Sequence, residues 1–131
     1  MAERILRIVT ESTWGMPEEC KPKNTDVVRT NDGKYHCRYL VLNDEGRRER
    51  RKVGIDEAQI ISVLQRLKMA SIPAVPSFEM GCDGGFTELH VGGYSGKVSY
   101  RWWSEPPKGW EELDKIASEV LSWRGRNTSD L

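Results

Sequence analysis

Residues 27–68 read VVRT-NDG-KYHCRYLVL-NDEG-RRERRKVGID-EAQIISVLQRLK, and the fold class is decided inside this stretch. Val27 to Thr30 leads into Asn31-Asp32-Gly33, where an Asp-Gly step tolerates the positive φ angles of a tight hairpin, and Tyr35 to Leu42 follows as a long strand. Asn43-Asp44-Glu45-Gly46 repeats that turn chemistry and delivers Arg47 to Val53 as the third strand of a meander. At Ile55 the period changes from about two to about 3.6: Ile60, Ile61, Leu64 and Leu67 fall at helical spacing, whereas Glu57, Gln59, Arg66 and Lys68 do not. Asp56 is the expected N-cap. The helix is expected to stop near Ala70, because the prolines of Ser71-Ile72-Pro73-Ala74-Val75-Pro76 lack the N–H a helix needs and bias the residue before them away from it.

Downstream, Cys82-Asp83-Gly84-Gly85 opens a second hairpin. Phe86, Leu89 and Val91 belong to one strand, the segment from Gly92 to Gly96 forms the turn, and Val98, Tyr100 and Trp102 alternate in the next strand. From Trp110 to Trp123, Leu113, Ile116, Ala117, Val120 and Leu121 recur at the spacing of one helix face, the strongest amphipathic pattern in the chain. Gly125 is the expected stop, followed by a polar end from Arg126 to Leu131. Upstream, Ile5, Leu6, Ile8 and Val9 mark a first strand within Arg4 to Thr10, and Glu11 to Thr25 reads as a loop. This order predicts an α+β fold: a mostly antiparallel sheet of about five to six strands with two helices on one face, as a single domain over residues 1–131.

Composition narrows the function classes. Basic and acidic residues number 20 each, so the whole molecule has no net field to draw in nucleic acid or an anionic membrane, and any electrostatic partner must be met by a local patch. The start, Met1-Ala-Glu-Arg-Ile-Leu-Arg-Ile-Val, breaks its apolar residues with charge and reads as a strand rather than a signal peptide. Cys20, Cys37 and Cys82 are odd in number and well separated, which points to free thiols and a reducing, cytoplasmic setting.

Reactive chemistry has little to stand on. His36 and His90 are the two histidines, both in predicted strands, and His36 points to the opposite face from its neighbour Cys37. The paired close spacings of structural zinc sites are missing, as are the glycine-rich phosphate loops of nucleotide binders, so no metal and no cofactor is expected. An enzyme reading would have to be built around Asp83, His90 and Glu105.

Two segments carry interface-type residues. In the run Arg47-Arg48-Glu49-Arg50-Arg51-Lys52, strand geometry puts Arg48, Arg50 and Lys52 on one face as a row of cations about 6 to 7 Å apart. Such a row follows a nucleic-acid backbone, meets an acidic protein, or protects a sheet edge from pairing. In Tyr100-Arg101-Trp102-Trp103-Ser104-Glu105, the consecutive tryptophans project to opposite faces, Trp102 joining Val98 and Tyr100, Trp103 sitting with Ser99 and Arg101. Trp110 and the Pro106-Pro107 corner form an aromatic and proline bracket between the last strand and the last helix. Arg101, Trp103 and Glu105 are the candidate partner-binding residues, since Trp and Arg are enriched at interface hot spots.

The pattern Gly81-Cys82-Asp83-Gly84, then a hairpin ending in Trp102-Trp103, then Pro107-x-x-Trp110-x-x-Leu113, resembles a family of small uncharacterised bacterial proteins over the C-terminal part of the chain. The order of helix, proline-containing loop, hairpin and closing helix is similar to the layout of emfourin-type protease inhibitors. The Gly-Gly-Phe-Ala-Gly stretch expected there after the first strand is absent, Trp14-Gly15 being nearest to it, so no inhibitory residue carries over. The missing catalytic sets and the excess of interface-type residues point to a non-enzymatic protein-binding module, and the resemblances imply a bacterial protein of immunity or inhibitor type. The alternatives are nucleic-acid binding through the basic strand Arg47 to Lys52, by Arg48, Arg50 and Lys52, and an enzyme with an unfamiliar site around Asp83, His90 and Glu105.

Overall fold

The structure, a computed structural model, describes residues 3–12, 23–76, 84–93 and 96–124. The elements run β1 (Glu3–Ser12), β2 (Lys23–Arg29), β3 (Tyr35–Leu42), β4 (Arg48–Ile55), α1 (Glu57–Met69), β5 (Gly85–Gly93), β6 (Gly96–Trp103) and α2 (Glu111–Ser122). All six strands form one antiparallel sheet in the order β4-β3-β2-β1-β5-β6. The first strand therefore lies inside the sheet, joining the meander to the second hairpin. Expectations placed on Trp14-Gly15, Cys20, Cys82, Asp83, Gly125 and the polar end fall outside the described residues.

Both turns of the meander are built alike. The N–H of Gly33 donates to the carbonyl of Thr30 and that of Gly46 to Asn43, each glycine taking a positive φ, 81° and 78° respectively. The Asn43 Oδ1 accepts from the N–H groups of Glu45 and Arg47, fixing the second turn by its own side chain. At its two ends the long loop expected from Glu11 to Thr25 is strand instead. Thr25 is fully buried opposite Ile8, so β2 starts at Lys23, because alternation set by burial carries a strand through polar residues.

Period two then sorts the strands into a dry and an open face, except that Val28, next to Val27 in β2, is buried on the open-face register. Leu6 and Ile8 of β1, Thr25 and Val27 of β2, Cys37 and Tyr39 of β3, Val53 and Ile55 of β4, Leu89 of β5 and Trp102 of β6 share the dry face. Against it pack Ile60 and Val63 of α1 and Leu113, Ile116, Ala117 and Val120 of α2, with Trp123, as one cluster. Both helices thus cover the same face. The stripe of α1 differs from the expected one by a rotation: Ile60, Val63, Leu64 and Leu67 face inward, and Ile61, about 100° round the helix from Ile60, is exposed. Asp56 stands at the N-cap with extended backbone but without a side-chain capping bond.

The expected bracket after β6 exists and reaches further than the prolines beside it. The indole N–H of Trp110 donates to the carbonyl of Pro73 at 3.0 Å, tying the start of α2 to the segment that ends α1. Tyr100 and Trp102 meet the Trp110 ring edge-on at 5.7 and 6.4 Å, and the Trp102 indole donates to Asp114. Gly109 is required here twice over, by a φ of 93° and because a Cβ would meet the Pro73 ring at 2.8 Å. On the outer surface Arg66 of α1 bonds Glu112 at 2.7 Å and Glu119 at 2.9 Å on α2.

These contacts predict unequal losses in chemical denaturation. Trp102→Ala removes a buried aromatic and is expected to cost about 3 to 5 kcal/mol. Arg66→Ala removes a part-exposed ion-pair bridge and is expected to cost no more than about 1 kcal/mol.

Candidate functional site: the open face of the sheet

No helix among the described residues covers the second face, so its side chains must tolerate water. In-register pairing lines up Lys52, Arg38, Asp26, Arg7, His90 and Ser99, one residue from each strand, as a polar row across the sheet. Neighbours in such a row lie about 5 Å apart at Cβ, close enough for each to set the charge environment of the next.

The middle of the row is neutralised internally. The Arg7 guanidinium holds Asp26 through two bonds of 2.7 and 3.0 Å, and this hydrogen bonding raises the arginine's pKa further above its ordinary value. His90 bonds Glu88 through Nε2 at 2.9 Å and Ser99 through Nδ1 at 2.8 Å. Since an ionised carboxylate only accepts, Nε2 carries the proton of a neutral ring, and the Ser99 hydroxyl donates to Nδ1. Glu88 also faces Arg101 at 3.8 Å, whose guanidinium stacks 3.8 Å from the Phe86 ring centre; Phe86 in turn meets Trp103 edge-on at 4.5 Å.

Arg101 and Trp103 are therefore brought together, as expected, on the face opposite Trp102. Glu105 is not part of the group: Ser104, at a φ of 47°, turns the chain after β6, and Glu105 is exposed and makes no ion pair with Arg101. The Ser99, His90 and Glu88 chain was missed in sequence. Two of its members stand two apart on one strand and share a face, but the third needs the hairpin register that pairs His90 with Ser99.

A hydroxyl, imidazole and carboxylate in series is the arrangement that activates a serine nucleophile. Catalysis also needs donors aimed at the developing oxyanion and a site shielded from water. Ser99 is exposed on a pleated surface, and the grooves of the described surface lie elsewhere. Among the described residues the bonds of His90 to Glu88 and Ser99 satisfy three polar groups on the open face of the sheet. Cys37 lies on the dry face, away from His36 and His90, and burial pushes its thiol up to about 11. Among the described residues no cluster of three His, Cys, Asp or Glu side chains is placed to hold a metal, and no helix is long and apolar enough to cross a membrane.

The β3 and β4 end of the face is different. Arg38, Arg50 and Lys52 form no ion pair among the described residues, and they flank Leu40. An open groove of about 500 Å³ runs here, lined by Arg7, Asp26, Arg38, Leu40, Arg50 and Lys52 among others. Leu40 and Leu42 are 46% and 56% exposed beside these cations. The row Arg48, Arg50 and Lys52 lies on the open face as expected, and β4 is the sheet's edge. In comparison with known proteins, no protein-family model matches the chain and no curated protein matches it.

The buried thiol gives a test of the two-faced sheet. Its folded-state pKa lies above the ordinary 9.0, so the unfolded chain loses this proton first, and the thiol's contribution to stability falls as pH rises from about 9 through about 11. At pH 8 native Cys37 is expected to resist a water-soluble thiol reagent and to label only after unfolding, as read by peptide mass mapping. Prompt native labelling at Cys37 would show that the helices do not seal that face.

Proposed function

We propose that the chain is a non-enzymatic protein-binding module of immunity or inhibitor type, working in a bacterial cytosol, whose open sheet face docks an acidic partner. One observation carries this reading: Arg38, Arg50 and Lys52 form no ion pair among the described residues and stand around an exposed leucine, on the face that no described helix covers. Cations beside apolar side chains suit a protein surface that offers both carboxylates and apolar contacts. Arg101 and Trp103 extend the same face at its far end.

Two features favour protein over nucleic acid. Bases need free aromatic faces on which to stack, whereas Phe86 is occupied by Trp103 at its edge and by Arg101 over its ring. Leu40, half exposed among the cations that line the groove, offers an apolar contact that a protein surface uses and a phosphate backbone does not.

A photo-crosslinking amino acid placed at Leu40 in the native host is expected to capture a specific acidic protein. Affinity for that purified partner should fall by at least about tenfold in Arg38→Glu and Arg50→Glu and stay unchanged in Glu57→Lys on α1. A partner indifferent to both reversals sinks the reading. So does a labelled RNA or DNA shifted at low salt by the native chain and not by Arg50→Glu.

A further inference from the structure

β4 has eight residues, contains no proline, and pairs with β3 without a register break from Tyr35 opposite Ile55 to Leu42 opposite Arg48. No described strand lies on its other side, and Arg48, Glu49, Arg50 and Lys52 are exposed, so no described element pairs with this edge. Every second N–H and C=O along it points outward, away from β3. Proteins usually blunt such an edge by brevity, proline or a bulge. β4 uses none of these.

Only charge guards it, and the charge is of one sign on the open face. Arg48, Arg50 and Lys52 project there, while on the dry face Glu49 pairs with Arg51 at 3.5 Å. Antiparallel pairing of two copies through β4 would set cation against cation at about 5 Å, so self-association at this edge is disfavoured. The same spacing favours an incoming strand with carboxylates at alternate positions. At the other edge, the open-face side chains Ser99 and Arg101 of β6 are held by His90, Phe86 and Glu88, and β6 presents no row of three cations.

We infer that β4 captures an extended acidic segment of the partner as a seventh strand, its Asp or Glu residues at every second position meeting Arg50 and Lys52. This rests on the protein-binding reading above and names how the partner is held. Main-chain bonds supply the attachment, and the cation row sets the sequence and register.

The experiment uses the full chain and synthetic peptides. One carries alternating carboxylates, Thr-Asp-Val-Asp-Thr-Glu-Val, and a second has the same composition with its carboxylates adjacent. Two further versions of the first are N-methylated on one or the other set of alternate amides. By fluorescence anisotropy the alternating peptide is expected to bind about tenfold more tightly than the adjacent one. Methylation of only one set of amides should abolish binding, and the outward amides of β4 should gain protection from hydrogen exchange. Equal binding of both methylated peptides overturns strand addition and leaves docking by side chains alone. Failure of every peptide, while the crosslinked partner still depends on Arg50, also overturns it without touching the broader reading. An RNA oligonucleotide that displaces the alternating peptide from the row overturns both.

Discussion

Burial on one side of the sheet governs this molecule. Two helices and six strands make only two layers, and the apolar positions of both helices point at the same set of side chains, from Leu6 and Ile8 to Trp102. The dry face is closed by a chain of contacts rather than by area alone. Trp110 is anchored to Pro73 by its indole, Trp102 to Asp114 by its own, and the rings meet at right angles between them. This fixes the ends of α1 and α2 against β6 and leaves no element among the described residues for the opposite face. That face has to be compatible with water, and its composition follows from this requirement.

Compatibility with water does not by itself demand the pattern found there. Across β1, β2, β5 and β6 the polar row is matched internally: Arg7 with Asp26, His90 between Glu88 and Ser99, with Arg101 between Glu88 and Phe86 beside it. Pairs at this exposure contribute little to stability, of the order of 1 kcal/mol or less each. Their effect is to make most of the face electrically quiet. At β3 and β4, Arg38, Arg50 and Lys52 make no ion pair among the described residues and stand beside Leu40; Asp26, opposite Arg38, is held by Arg7. Charge on the open face is thus concentrated at one edge, although the whole chain is balanced.

Much of this architecture was legible because it is local. The Asp-Gly and Glu-Gly turns, the change of period at Ile55, the stop at Pro73 and the stripe from Leu113 to Val120 each depend on residues close in sequence, and each defines an element of the structure. The opposite orientation of Trp102 and Trp103, and of Arg50 and Arg51, follows from strand alternation in the same way. The place of β1 between β2 and β5 was not legible, because it depends on which distant edge each hairpin presents. Without it, Arg7 could not be set beside Asp26 and His90, and the polar row had no sequence signature. Glu105 stands apart from Arg101 and Trp103 for a related reason: alternation holds only while the strand lasts, and it ends at Trp103.

The basic edge strand had three readings in sequence, edge protection, nucleic-acid contact and an acidic protein partner, and under the proposed function the first and the last become one property. A single inward or outward charge is enough to discourage edge-to-edge pairing. From Arg47 to Lys52 the chain places five cations and one carboxylate, and the carboxylate is engaged by Arg51 on the other face. Protection from self-pairing requires only that two copies repel, a condition met equally well by an acidic row or by a proline. A same-sign row beside exposed leucines goes further, since repulsion between copies and attraction for an opposite row arise from one Coulombic term whose sign the partner determines. An edge that excludes its own copies in this way is, by the same charges, an edge that discriminates among strands.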